Sequence, residues 1–173
     1  MLCCGSPTQI SHRSHILEQI RINAPYLQCL TLPWKEILLL GESRLPWPTL
    51  QQLNICLGGT KQDDPAACVI ERVITSEIFP RLRYLSFSRR RFKLAPPEVM
   101  VKRIITWLDV LIVSLPALAT FHVNRQCSIY RSQPRSSVDT CLILLQQHTR
   151  LNNHHYPSTR VFINANEEIL ISL

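Results

Sequence analysis

A nine-residue unit occurs four times without gaps: APYLQCLTL (24–32), WPTLQQLNI (47–55), FPRLRYLSF (79–87) and LPALATFHV (115–123). Each copy has proline at its second position and apolar residues at its fourth, seventh and ninth. Pro25, Pro48, Pro80 and Pro116 stand 23, 32 and 36 residues apart, so the unit recurs while the connection between copies lengthens. Repetition on this scale restricts the chain to architectures in which each unit buries its apolar side against its neighbours. Proline lacks an amide donor and biases the residue before it toward extended backbone, which places it at the start of a strand and not inside one. The end of each unit alternates apolar and polar, as in Leu30-Thr31-Leu32 and Leu85-Ser86-Phe87. That period of two predicts a short strand with one buried face.

Helical patterns lie between the units. The segment 63–79, DDPAACVIERVITSEIF, sets Val69, Ile70, Val73, Ile74 and Ile78 on one helical stripe, with acids and Pro65 near its start. Residues 96–115 do the same with Met100, Ile104, Trp107, Leu108, Leu111, Ile112 and Leu115. In 136–148, Ser136 and Asp139 have capping-box spacing ahead of Val138, Cys141, Leu142 and Leu145. The short 35–46 segment has room for only a helical turn or two. In the tail, 161–163 and 169–173 flank a polar NANEE turn, which predicts a hairpin covering the last unit. Strand, helix and strand in series is a parallel crossover. The expectation is therefore an α/β solenoid of parallel strands and crossover helices over residues 14–173, closed by a hairpin near 160–173, with residues 1–13 as an N-terminal tail.

The triplets Leu27-Leu30-Leu32, Leu50-Leu53-Ile55, Leu82-Leu85-Phe87 and Leu118-Phe121-Val123 resemble the LxxLxL strand of leucine-rich repeats. With the apolar or aromatic residue and proline ahead of them, the units are similar to the irregular repeats of divergent invertebrate F-box proteins. The standard repeat has Asn or Cys three residues after the last apolar strand position, where this chain has Lys35, Gly58, Arg90 and Gln126. The resemblance implies an irregular leucine-rich-repeat-like domain that recognises substrates for a ubiquitin ligase. It implies a cullin-ligase adaptor as partner only where an F-box precedes the repeats. LPWKEILLL (32–40) resembles the opening of that module, but Leu32 already belongs to the first strand and no IF continuation follows.

The 173 residues carry 19 basic and 12 acidic side chains, a net charge of +7, with 46% hydrophobic residues and 18% charged. Such a composition favours one packed domain over disorder. Arg81, Arg83, Arg89, Arg90, Arg91 and Lys93 hold six of the basic residues with no acid between them, so the positive balance is local. Seven cysteines without a CxxC pair, and an N-terminus lacking a basic start and apolar run, suit reduced thiols in the cytoplasm or nucleus. The apolar run 104–121 contains Asp109 and Pro116 and is short of a membrane span.

Parallel stacking predicts polar rows on one concave face: Cys29, Gln52, Tyr84, Thr120; then Thr31, Asn54, Ser86, His122; then Pro33, Cys56, Ser88, Asn124. Tyr84 and His122 are its largest groups, and Gln52, Asn54 and Asn124 stand beside them as candidate partner-binding residues. Arg89, Arg90 and Arg91, in the loop predicted after the third strand, add a basic rim suited to an acidic protein partner. Nucleic acid is the alternative partner for these arginines, and it calls for a wider basic footprint and more stacking aromatics than Tyr84 and Phe92. A truncated, non-functional product is a further alternative. His148, His154 and His155 lack partners at metal-ligand spacing, and no phosphate loop, nucleophile elbow, HExxH or paired-carboxylate motif occurs. The reading is a non-catalytic protein-interaction domain with no cofactor, no metal and no membrane segment.

Overall fold

The computed structural model describes residues 7–58, 65–89, 97–124, 143–147, 160–163 and 168–173. Its elements are α1 (Pro7–Asn23), β1 (Cys29–Pro33), α2 (Trp34–Ser43), β2 (Gln52–Leu57), α3 (Ala67–Val73), β3 (Tyr84–Arg89), α4 (Pro97–Ser114), β4 (Thr120–Asn124), β5 (Arg160–Ile163) and β6 (Ile169–Ser172). Residues 143–147 are also helical. The fold is mixed α/β, with six strands among the described residues in one open, mostly parallel sheet of order β1-β2-β3-β4-β6-β5.

Each unit supplies one parallel strand, and the role of its proline is sharper than strand initiation. Four backbone bonds, Leu27 N to Ala24 O (3.1 Å), Leu50 N to Trp47 O (3.3 Å), Leu82 N to Phe79 O (3.3 Å) and Leu118 N to Leu115 O (3.0 Å), each close a turn with proline in its second position. There the fixed φ of proline is already correct and its missing N–H costs no ladder bond. Each strand opens four residues later: Pro25 leads to Cys29, Pro48 to Gln52, Pro80 to Tyr84 and Pro116 to Thr120. Thr49 Oγ1 ties adjacent units by donating to the carbonyls of Pro25 (2.9 Å) and Leu27 (3.1 Å).

One face of the sheet carries the core. Leu53, Ile55, Leu85, Phe87, Phe121, Ile169 and Ile171 are at most 1% exposed. Burial of each such side chain contributes about 1.5–3 kcal/mol. The helices contact one another in the order α1, α2, α3, α4. Phe87 is the centre of an aromatic cluster, edge-on to Trp107 of α4 (4.9 Å between ring centres) and to Phe121 of β4 (5.6 Å). The Trp107 indole N–H donates to the carbonyl of Pro65 at 2.9 Å, so its polar atom is satisfied within the core. Gly41 lets α2 approach α3: a Cβ there would stand 2.6 Å from Val73 Cβ and 3.0 Å from its Cα.

The connections depart from the sequence reading in two places. The stripe running to Ile78 does not form one helix, because α3 ends at Val73. Ser76 N donates to Ser114 O at 2.9 Å, and Thr75 begins a new turn by accepting from Phe79 N at 2.8 Å. Ile74 and Ile78 are buried all the same. Conversely α2 is ten residues long, beyond the expected turn or two. Buried Trp34, Ile37 and Leu40 anchor it, and Arg44 ends it at φ 49° with its N–H donating to Leu40 O. α1 begins at Pro7 and so crosses residue 14.

The predicted hairpin is present as β5 and β6, paired antiparallel. β6 also lies antiparallel to β4, carrying the sheet beyond the fourth unit. Of the predicted helix near 136–148, only 143–147 falls among the described residues; Leu145 is fully buried, and Ser136, Val138, Asp139, Cys141 and Leu142 lie outside them.

Candidate functional site

The face opposite the core is polar, and its order follows from strand register. Cys29, Gln52, Tyr84 and Thr120 pair in sequence across β1 to β4, as do Thr31, Asn54, Ser86 and His122, and then Pro33, Cys56, Ser88 and Asn124. These are the three rows that the repeats predicted. β6 and β5 extend the first row through Ser172 to Arg160.

The rows differ in character along the sheet. At the β1–β2 side the groups are accessible: Cys29 and Thr31 are exposed, and Gln52 and Asn54 half-buried. Asn54 Nδ2 donates to Thr31 Oγ1 at 3.3 Å. Toward β3 and β4 the polar face is itself buried, with Ser86 at 5% exposure and His122 at 7%. Tyr84 Oη lies 2.6 Å from His122 Nδ1, and Ser86 Oγ lies 3.4 Å from the same nitrogen. His122 Nε2 lies 3.2 Å from Glu168 Oε2 without making a hydrogen bond to it. With the Tyr84 hydroxyl donating to Nδ1, a neutral ring carries its proton on Nε2.

Burial pushes the Tyr84 phenol above its ordinary value; a hydrogen bond with Ser86 opposes that shift and the Glu168 carboxylate adds to it. Tyr84 is therefore a neutral phenol at physiological pH. The sequence placed Tyr84 and His122 one row apart without indicating that they touch, and it passed over Ser86 and Glu168 as site residues. Glu168 precedes β6, and antiparallel pairing of β6 with β4 brings it to His122. The available signal was the hairpin itself, which predicted a strand after the NANEE turn but not its register against β4.

The arginines separate. Arg81 and Arg83 are exposed just before β3, whereas Arg89 is the last residue of β3 and not part of a following loop. Five residue steps of extended chain, roughly 17 Å, divide Tyr84 at one end of the strand from Arg89 at the other. Among the described residues, Arg81 and Arg83 thus lie at the opposite end of β3 from Arg89. Arg90 and Arg91 lie outside the described residues, as do His148, His154 and His155. Asn124 closes β4 and Arg89 closes β3.

Among the described residues, no group of three or more His, Cys, Asp or Glu is arranged to hold a metal ion, and no helix is long and apolar enough to cross a membrane. A cleft of about 70 Å³ opens between α1 and α2 over Leu17, Leu40 and Trp47. It is well below the few hundred cubic ångströms of an ordinary small-molecule pocket and carries none of the polar-row residues. No family model matches the chain, and neither a curated protein nor a solved structure matches it.

Proposed function

We propose that the chain is a protein-recognition domain whose polar sheet face binds its partner, with Tyr84 as the principal anchor and Gln52, Asn54 and His122 around it. The observation that carries this reading is the register, which gathers polar residues from four separate segments into rows on the face the core does not use. A half-exposed tyrosine held in place by a buried partner has the properties of an interface anchor: a large rigid area with little conformational entropy left to lose. In this proposal the face is the concave side of a leucine-rich-repeat-like solenoid. By the resemblance of its repeats, the domain is the substrate-recognition part of an F-box type ubiquitin-ligase receptor, and a cullin-ligase adaptor would bind an F-box rather than this face. Arg89, Arg90 and Arg91 add contacts for a partner that is acidic at the end of β3.

The test is pull-down from cell extract with wild-type protein, with a Gln52→Ala/Tyr84→Ala variant, and with a Lys102→Ala/Thr106→Ala variant altered on exposed positions of α4. Partners recovered by the wild type and the α4 variant are expected to be lost from the Gln52/Tyr84 variant, by the 2 kcal/mol or more, roughly thirtyfold, that an anchor residue costs. Recovery that is equal for all three proteins contradicts the proposal.

A further inference from the structure

The contacts around His122 have a chemical consequence apart from partner recognition. A hydroxyl bonded to one ring nitrogen of an imidazole, with a carboxylate at the other, is the arrangement that activates an oxygen nucleophile: the base takes the proton as the oxygen bonds, and the acid stabilises the resulting imidazolium. Here Tyr84 Oη is hydrogen-bonded to Nδ1 at 2.6 Å, while Glu168 Oε2 stands 3.2 Å from Nε2 without a hydrogen bond, close enough to stabilise positive charge on the ring. His122 is 7% exposed, so the ring is held in place by its surroundings. Ser86 is the competing hydroxyl, but it stands 3.4 Å from Nδ1 and is 5% exposed, whereas Tyr84 is half-exposed.

We infer that Tyr84 is a base-assisted nucleophile and a site of covalent modification by sulfonyl-type electrophiles that carry a leaving group. With an aryl sulfonyl fluoride, Tyr84 Oη attacks sulfur, the S–O bond forms as the S–F bond breaks, the phenol proton passes to His122 Nδ1 and fluoride departs. No oxidant or reductant enters. Burial keeps the phenol protonated beforehand, so its reactivity depends on the transfer to His122 and not on a standing population of phenolate. Glu168 acts through His122 and is a positioning residue.

Tyr26 supplies an internal control, since it is 87% exposed. The experiment treats the folded 173-residue chain with benzenesulfonyl fluoride at neutral pH and follows each tyrosine by peptide mass mapping. Tyr84 is expected to be modified about tenfold faster than Tyr26 or more, the lower end of what a positioned base provides being larger still. His122→Ala is expected to slow Tyr84 by about tenfold or more while leaving the Tyr26 rate unchanged. Glu168→Gln, at a partly exposed position, is expected to slow Tyr84 by a smaller factor and decides the matter alone if His122→Ala does not fold. Faster modification of Tyr26, labelling of Ser86 in place of Tyr84, or a Tyr84 rate indifferent to the substitutions overturns the inference. None of these outcomes depends on whether the polar face binds a protein.

Discussion

The two faces of β2 and β3 are built from alternate residues of the same strands and are governed by different rules. On one, Leu53, Ile55, Leu85 and Phe87 lose essentially all contact with solvent. On the other, Gln52, Asn54, Tyr84 and Ser88 remain half-exposed, and Ser86 is buried among polar partners. The buried face shows what the repeat is for, because four units that are individually too small to fold share one core through it. Little on the polar face is required for folding except near His122. That freedom leaves the face available for the recognition proposed above, while hydrogen bonds such as Asn54 to Thr31 and Tyr84 to His122 fix some of its polar groups.

The sharpest way to break this contrast is on the core face. Phe87→Ala removes the ring that meets both Trp107 and Phe121 and is expected to cost about 3–5 kcal/mol, read as a lower urea midpoint with unchanged slope. A loss below about 1 kcal/mol would mean that the aromatic cluster is not a packed core. Gly41→Ala comes next: the added methyl runs into Val73 and is expected to cost about 1–3 kcal/mol as α2 and α3 are forced apart.

Much of this was legible in the sequence because the four units repeat the same nine positions. The alternation set the strands, and gapless alignment of the units set the register, since positions equivalent in sequence became neighbours in the sheet. The prolines mark boundaries in the sequence, yet their place inside hydrogen-bonded turns depends on a bond two residues further on that no propensity reveals. The end of α3 was illegible for a related reason. Ile74 and Ile78 continue the apolar stripe, but a backbone bond from Ser76 to Ser114, far along the chain, breaks the helix between them. Glu168 reaches His122 only through the pairing of β6 with β4, a long-range register that periodicity within the tail cannot fix.

The polar face offers smaller tests. Because burial raises the Tyr84 phenol above its ordinary value near 10, the folded state holds that proton more tightly than the unfolded chain does. Its contribution is fully present below pH 10 and is lost as pH rises through the raised value. Stability is thus expected to fall above pH 10 more steeply in the wild type than in Tyr84→Phe; parallel curves would remove the buried phenol from the account. At the small end, Gln52→Ala and Asn54→Ala are each expected to change stability by no more than about 0.5 kcal/mol, and a larger loss from either would show that the accessible rows carry folding energy after all.

The register that places separate segments on one polar face has a direct chemical test. Cys56 and Ser88 are paired across β2 and β3, and Ser88 Oγ lies 3.6 Å from Cys56 Sγ. Neighbouring strands stand about 4.8 Å apart, within the range a disulfide spans. Ser88→Cys under mild oxidation is expected to link positions 56 and 88 in the folded monomer, identified by peptide mass mapping. A position-88 thiol that stays reduced in the folded protein, or that joins a different cysteine, contradicts the register and with it the polar face.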